Sequence, residues 1–128
     1  AHGEILFPDG QKPQDAVRFD AALADYGKAA QIDDQFAQLI FQRAGCELAL
    51  KQTTNAEADF RRARDLDTLR FRSDSRINEI IRQVAVAKNV SLTDAAKQCA
   101  QEPEEIPGED LFDDRVHLNF AGKYRLAA

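Results

Sequence analysis

Residues 22–67 read ALADYGKAAQIDDQFAQLIFQRAGCELALKQTTNAEADFRRARDLD and contain one pattern twice, 34 residues apart. Each member of the first copy returns as a residue of similar kind: Ala22, Tyr26, Ala29, Ile32 and Asp33 return as Ala56, Phe60, Ala63, Leu66 and Asp67. Within each copy, steps of four and three residues place a small, an aromatic and a small side chain on one face of a helix. The small residues let a neighbouring helix approach closely, and the ring fills the space between them. We therefore expect the repeat triplets (Ala22, Tyr26, Ala29 and Ala56, Phe60, Ala63) to be buried between adjacent helices.

This period and pattern resemble the tetratricopeptide repeat, in which 34 residues form two packed helices. The resemblance implies a complete helical hairpin over residues 35–66, with a partner helix before it. A third copy would fall at Val90, Asp94 and Lys97, which do not continue the pattern, so the repeats end after the second copy. The alternative is an ordinary amphipathic bundle whose helices are spaced alike.

Apolar residues at three- and four-residue steps predict helices along most of the chain. The predicted helices cover approximately residues 13–31, 35–50, 54–66, 75–88, 93–100 and 119–126. The predicted caps are a capping box from Thr54 to Glu57, then Ser73 or Ser75, Thr93 and Asn119, with a left-handed Asn89 ending the fourth helix. Residues 1–12 should be irregular, because Pro8-Asp9-Gly10 is turn chemistry.

The expected fold is mainly α: tetratricopeptide-like antiparallel helical hairpins, a capping helix and an irregular C-terminal tail that ends in a short helix. The apolar residues of the fourth helix suit it to close the end of the hairpin stack. The sequence thus predicts three regions. They are an irregular N-terminal segment (1–12), a tetratricopeptide-like helical domain (13–88) and a C-terminal extension (89–128).

Composition excludes several kinds of partner. The net charge of −5 with no basic stripe argues against binding nucleic acid. No apolar run is long enough to span a membrane, so we expect a soluble chain, with the cytoplasm favoured over export. Cys46 and Cys99 occupy apolar-face positions of predicted helices and are expected to be buried free thiols. We expect no cofactor and no metal, and the acidic run between Glu102 and Asp114 does not match a calcium loop.

One pair of residues suggests chemistry. Asp114 precedes His117 by three residues, in a loop that enters the last predicted helix. An acid in this position can accept the ring N–H of the histidine, fix its tautomer and raise its basicity. The alternative is a surface histidine in an acidic tail, since this spacing also occurs by chance.

Two C-terminal runs carry a second resemblance. LRFRSDSRIN (69–78) and IPGEDLFDDRVHLNFAGKYRLA (106–127) resemble the C-terminal part of SGNH/GDSL-type hydrolases, and residues 16–128 resemble bacterial members with a tetratricopeptide insertion. The resemblance implies that Asp114 and His117 are the Asp-x-x-His part of a Ser-His-Asp triad. The Gly-Asp-Ser block of that family, and the blocks that carry its oxyanion-hole Gly and Asn, are absent, so the nucleophile would lie outside this sequence.

The first hypothesis for function is a protein-interaction or scaffold module that binds a protein or peptide with the concave face of its helices. A homodimer would supply the neighbour that a short array lacks. The alternative is a portion of a carboxyl-ester hydrolase that is inactive by itself, and a third possibility is a truncated product without activity.

Overall fold

The computed structural model describes residues 13–68, 73–100, 106–114 and 116–127, with side chains from Val17 onward. This part of the chain is mainly helical, which confirms the predicted class. Its helices are α1 (Pro13–Ile32), α2 (Ala37–Ala49), α3 (Thr53–Leu66), α4 (Ser75–Lys88), α5 (Ala95–Cys99) and α6 (Phe120–Ala127). The predicted irregular segment 1–12 lies outside the described residues.

The chain divides into two compact units, one up to Thr68 and one after it. In the first unit α1 packs on α2, and α2 packs on α3. Ile40 and Ala44 of α2 and Ala56 of α3 are fully buried and form the centre of this packing. Burial of these apolar side chains is the main force that holds such short helices together.

A tight connection joins α2 to α3. Lys51 adopts the left-handed conformation, with φ of 59°. The backbone N–H of Gln52 then donates to the carbonyl oxygen of Glu47 at 2.8 Å, so the last turn of α2 keeps its hydrogen bonds. Because only residues 50–52 separate the two helices, α3 returns directly along α2.

At three helices the predicted N-terminal capping residue is wrong. The capping box does not form, because α3 begins at Thr53 with Gln52 as its cap and Glu57 pairs with Arg61 instead. The other two starts are capped by aspartates rather than by Ser or Thr. Asp74 accepts from the N–H of Ile77 at 2.8 Å, and Asp94 accepts from the N–H of Lys97 at 3.2 Å.

Two predicted caps are confirmed. Asn89 ends α4 in the left-handed conformation, with φ of 52°. At the start of α6, Asn119 Oδ1 accepts from the N–H of Gly122 at 2.9 Å. Both results follow from the ability of Asn to adopt left-handed backbone angles and to satisfy a free helix-end amide.

The second unit holds α4, α5 and α6. Asp94, the cap of α5, also accepts from Arg82 of α4, with 2.6 Å between Asp94 Oδ2 and Arg82 Nε. Arg125 of α6 donates to the carbonyl oxygen of Cys99 at 3.0 Å, which joins α5 and α6. The sequence prediction grouped α4 with α1–α3, whereas in the structure α4 belongs to this second unit. Its predicted capping of the hairpin stack stays a prediction.

Candidate functional site

Asp114 and His117 lie in a short loop before α6. Phe112 and Leu118 form an antiparallel bridge on either side of this loop, and the N–H of Asp113 donates to the carbonyl oxygen of His117 at 2.9 Å. The loop between them is therefore a closed turn. It brings together the two residues that the sequence singled out.

The carboxylate of Asp114 is bound at both of its oxygens. Oδ1 accepts from the backbone N–H groups of Val116 and His117, each at 2.8 Å, and Oδ2 lies 2.7 Å from Nδ1 of the His117 ring. These backbone N–H groups, and after them the His117 ring, hold the pKa of Asp114 well below its usual range. Asp114 therefore stays ionised in any ordinary buffer.

The orientation of His117 follows from its partner. An ionised carboxylate can only accept a hydrogen bond, so Nδ1 of His117 must be the donor. In the neutral ring this fixes the proton on Nδ1 and leaves the lone pair on Nε2. The side chain of His117 is 76% exposed. Its Nε2 is thus on an accessible ring and can act as a base.

Asn119 ties the loop to the residues on both of its sides. Its Nδ2 donates to the carbonyl oxygens of Glu109, at 3.1 Å, and Asp110, at 3.0 Å. Its backbone N–H donates to the carbonyl oxygen of Leu111 at 3.0 Å. The sequence identified Asn119 only as a helix cap. Its bonds to the preceding segment were missed, because nothing in the local pattern predicts them.

Gly122 allows α6 to lie against this segment. It is buried, and a Cβ atom at this position would overlap the carbonyl oxygen of Leu111 and lie 2.7 Å from Cδ2 of Leu118. Because the overlap is with a backbone atom, movement of a flexible side chain cannot relieve it. The spacing of Asn119 and Gly122, a polar cap followed by glycine inside the first turn, is the signal that could have identified this contact.

The serines lie in other parts of the chain. Ser73 and Ser75 flank Asp74 at the start of α4, and Ser91 follows α4 in the loop before α5. Neither serine is the cap expected there, because Asp74 takes that role. In the sequence, none of these serines lies near Asp114 or His117.

The repeat triplets lie on α1 and α3. Ala56 and Ala63 are buried, with 0% and 5% exposure, whereas Phe60 and all members of the α1 triplet, Ala22, Tyr26 and Ala29, are half-buried. The ring of Phe60 meets that of Phe41 edge-on, with 5.3 Å between the ring centroids. The small residues of α3 are thus the buried members of the two triplets.

A partly buried ion pair joins the same two helices. Arg43 of α2 binds both carboxylate oxygens of Asp59 on α3, with 2.7 Å between Nη2 and Oδ1. Glu47 is buried beside them, and its Oε2 has no hydrogen-bond partner among the described residues. Burial, and then the negative charge of Asp59, raise the pKa of Glu47.

Cys46 and Cys99 are buried and neither forms a disulfide, as expected from the sequence. Within the described ranges no group of three or more His, Cys, Asp or Glu side chains could hold a metal ion. No helix in the same ranges combines the length and the apolar character that crossing a membrane requires.

Comparison of the chain with protein-family models, curated proteins and solved structures finds no match in any of the three.

Proposed function

We propose that the second unit supplies the acid–base part of a serine-type carboxyl-ester hydrolase site. In this proposal His117 is the base and Asp114 orients it. The observation that carries the proposal is the 2.7 Å hydrogen bond between Asp114 Oδ2 and His117 Nδ1, on a carboxylate that two backbone N–H groups also hold. The resemblance of residues 106–127 to the end of SGNH/GDSL-type hydrolases points to the same two residues.

The chemistry follows from this geometry. Nε2 of His117 takes the proton of a serine hydroxyl while the serine oxygen bonds to the ester carbonyl carbon. Asp114 stabilises the imidazolium, which returns the proton to the leaving alcohol as the carbon–oxygen bond breaks. Water then attacks the acyl group, and its proton passes through His117 to the serine oxygen. The serine and the oxyanion donors come from a segment outside this sequence.

The proposal is tested with short-chain p-nitrophenyl esters. The 128-residue chain alone should show no turnover above the uncatalysed rate, because in this proposal the serine comes from outside this sequence. In the polypeptide that supplies the serine, Asp114→Asn should lower kcat about 10⁴-fold and His117→Ala about 10⁶-fold. Asp113→Asn is the matched control, since Asp113 is the adjacent acid and reaches His117 through its backbone N–H.

Two results would contradict the proposal. Full activity of His117→Ala in the serine-bearing polypeptide would remove His117 from the reaction. Turnover by the 128-residue chain, lost in His117→Ala, would place the nucleophile inside this sequence. Ser73, Ser75 and Ser91 would then be the residues to substitute.

A second candidate function belongs to the first unit: a tetratricopeptide-like module that binds a protein or peptide. It is supported by the packing of α2 on α3 and by the burial of the small residues Ala56 and Ala63 of α3. One complete hairpin is short for a repeat array, and about three units are usual. A second copy of the chain could add the missing neighbour along α1, where Ala22 and Tyr26 are only half-buried.

Light scattering across a range of concentrations tests this homodimer. Ala22→Arg puts a long charged side chain on the half-buried face of α1 and should shift the protein to monomer. Ala21→Arg is the control, because Ala21 is exposed on a different face of the same helix turn. A wild-type chain that stays monomeric at all concentrations would refute the homodimer. Binding of a different protein or peptide would then be the function left to test for the first unit.

A further inference from the structure

We infer that Asn119 is a positioning residue for the Asp114–His117 pair, acting through the backbone rather than through contact with either side chain. A catalytic effect of Asn119 rests on the proposed function. Its effect on the conformation of the loop does not. Asn119 lies two residues after His117 and binds the segment that enters the loop as well as the helix that leaves it.

The exposure of His117 makes such support necessary. With its side chain 76% exposed, little packing is available to hold the ring in one orientation. The hydrogen bonds that Asp114 accepts from the backbone N–H groups of Val116 and His117 are local and also exposed, so water competes for each of them. The orientation of the ring therefore depends on how firmly the backbone of the loop is held.

Asn119 provides this support with an amide, and other polar side chains of similar size do not fit. Nδ2 gives both of its hydrogens to carbonyl oxygens, those of Glu109 and Asp110, while Oδ1 accepts from Gly122. An aspartate would place an oxygen against those two carbonyl oxygens. A serine could still cap α6 through its hydroxyl, but it is too short to reach residues 109 and 110.

Gly122 adds a second, independent constraint on the same segment. Because a Cβ atom there would overlap the Leu111 carbonyl oxygen, α6 can lie this close to residue 111 only with glycine. The same carbonyl oxygen accepts the backbone N–H of Asn119. Asn119 and Gly122 thus fix both ends of the turn that carries Asp114 and His117.

Nitrogen-15 NMR of the imidazole rings tests the inference on the 128-residue chain, without substrate or nucleophile. At a pH where the ring is neutral, the wild-type His117 should carry its proton on Nδ1, and His117→Ala identifies its signals against those of His2. Asn119→Asp and Asn119→Ser should lower the ratio of the Nδ1–H to the Nε2–H tautomer of His117 about fivefold or more. Gly122→Ala should change the ratio in the same direction.

Asn119→Ser separates positioning from capping, because it keeps the helix cap and loses only the two bonds to residues 109 and 110. If its tautomer ratio equals that of the wild type while α6 stays folded, Asn119 is only a cap and the inference is overturned. If Asn119→Asp unfolds the second unit, Asn119→Ser and Gly122→Ala still decide the question.

The same measurement distinguishes failure of the inference from failure of the proposed function. A ratio that falls in the variants, in a protein whose serine-bearing form lacks esterase activity, supports positioning and refutes the hydrolase. A ratio that does not change, together with activity that His117→Ala abolishes, refutes positioning and supports the hydrolase. A wild-type ring without the proton on Nδ1 overturns both.

Discussion

Replacement of Arg43 by methionine should destabilise the first unit, because it leaves two carboxylates without their cation. In the wild type, Arg43 binds Asp59 through two hydrogen bonds, and Glu47 is buried beside the pair. Methionine keeps the apolar stem of the arginine side chain, so the substitution removes mainly the charge and its hydrogen bonds.

The magnitude follows from the burial of the pair. Removal of one partner of a fully buried ion pair costs about 3–5 kcal/mol. The side chains of Arg43 and Asp59 keep 21% and 12% exposure, so water reaches part of the pair. We therefore expect Arg43→Met to lower the free energy of unfolding by about 2–3 kcal/mol at pH 7.

The loss should depend on pH in a defined direction. Burial and the charge of Asp59 raise the pKa of Glu47, and Arg43 opposes this rise. A group whose pKa is raised by folding stabilises the protein below its unfolded pKa, and this contribution is lost as the pH rises through the folded pKa. Without Arg43 the pKa of Glu47 rises further, so the variant should lose more stability at pH 7 than at pH 4. Adding Glu47→Gln to Arg43→Met should recover part of the loss at pH 7.

Urea unfolding followed by circular dichroism measures these effects. With a slope of about 2 kcal/mol/M, a loss of about 2 kcal/mol lowers the midpoint by about 1 M. Arg61→Met is the matched control, because Arg61 pairs with Glu57 on the solvent-facing side of α3 and should cost at most about 0.5 kcal/mol. Equal losses for Arg43→Met and Arg61→Met, or a loss that is the same at both pH values, would refute this account.

Three further predictions concern packing and backbone. Phe60→Ala should cost about 2 kcal/mol, because its ring is half-buried against Phe41, and a cost under about 0.5 kcal/mol would mean that the ring contributes little to the unit. Lys51→Gly should raise the free energy of unfolding by about 0.5–1 kcal/mol, and with it the urea midpoint, since glycine adopts a φ of 59° without strain. A lowered midpoint would contradict this. Cys46 and Cys99 should react slowly with thiol reagents in the native protein, as both are buried and burial raises the pKa of the Cys46 thiol; rapid labelling of Cys46 would show that α2 opens readily.

The sequence predicted helices better than it predicted the residues that cap them. The spacing of apolar residues placed α1 within one residue of its observed bounds, because an amphipathic face is repeated over many turns. Which residue caps a helix, by contrast, depends on the backbone angles at a single position. At α4 the acceptor is Asp74 rather than a flanking serine, and at α5 it is Asp94, which Arg82 of another helix also binds. Contacts of that kind lie outside any local pattern.

The same difference separates the two parts of the candidate site. Asp114 and His117 are three residues apart in one turn, so their hydrogen bond depends on local geometry and could be predicted from spacing. The hydrogen bonds from Asn119 to the carbonyl oxygens of residues 109 and 110 form because the irregular segment between them folds back on itself. Irregular structure has no periodic sequence pattern from which such contacts could be predicted. Since these bonds hold the turn, substitutions that move the backbone of residues 109–111 should disturb His117 without touching it. Side-chain changes at the exposed Glu109, which contributes only its carbonyl oxygen, should leave the ring as it is.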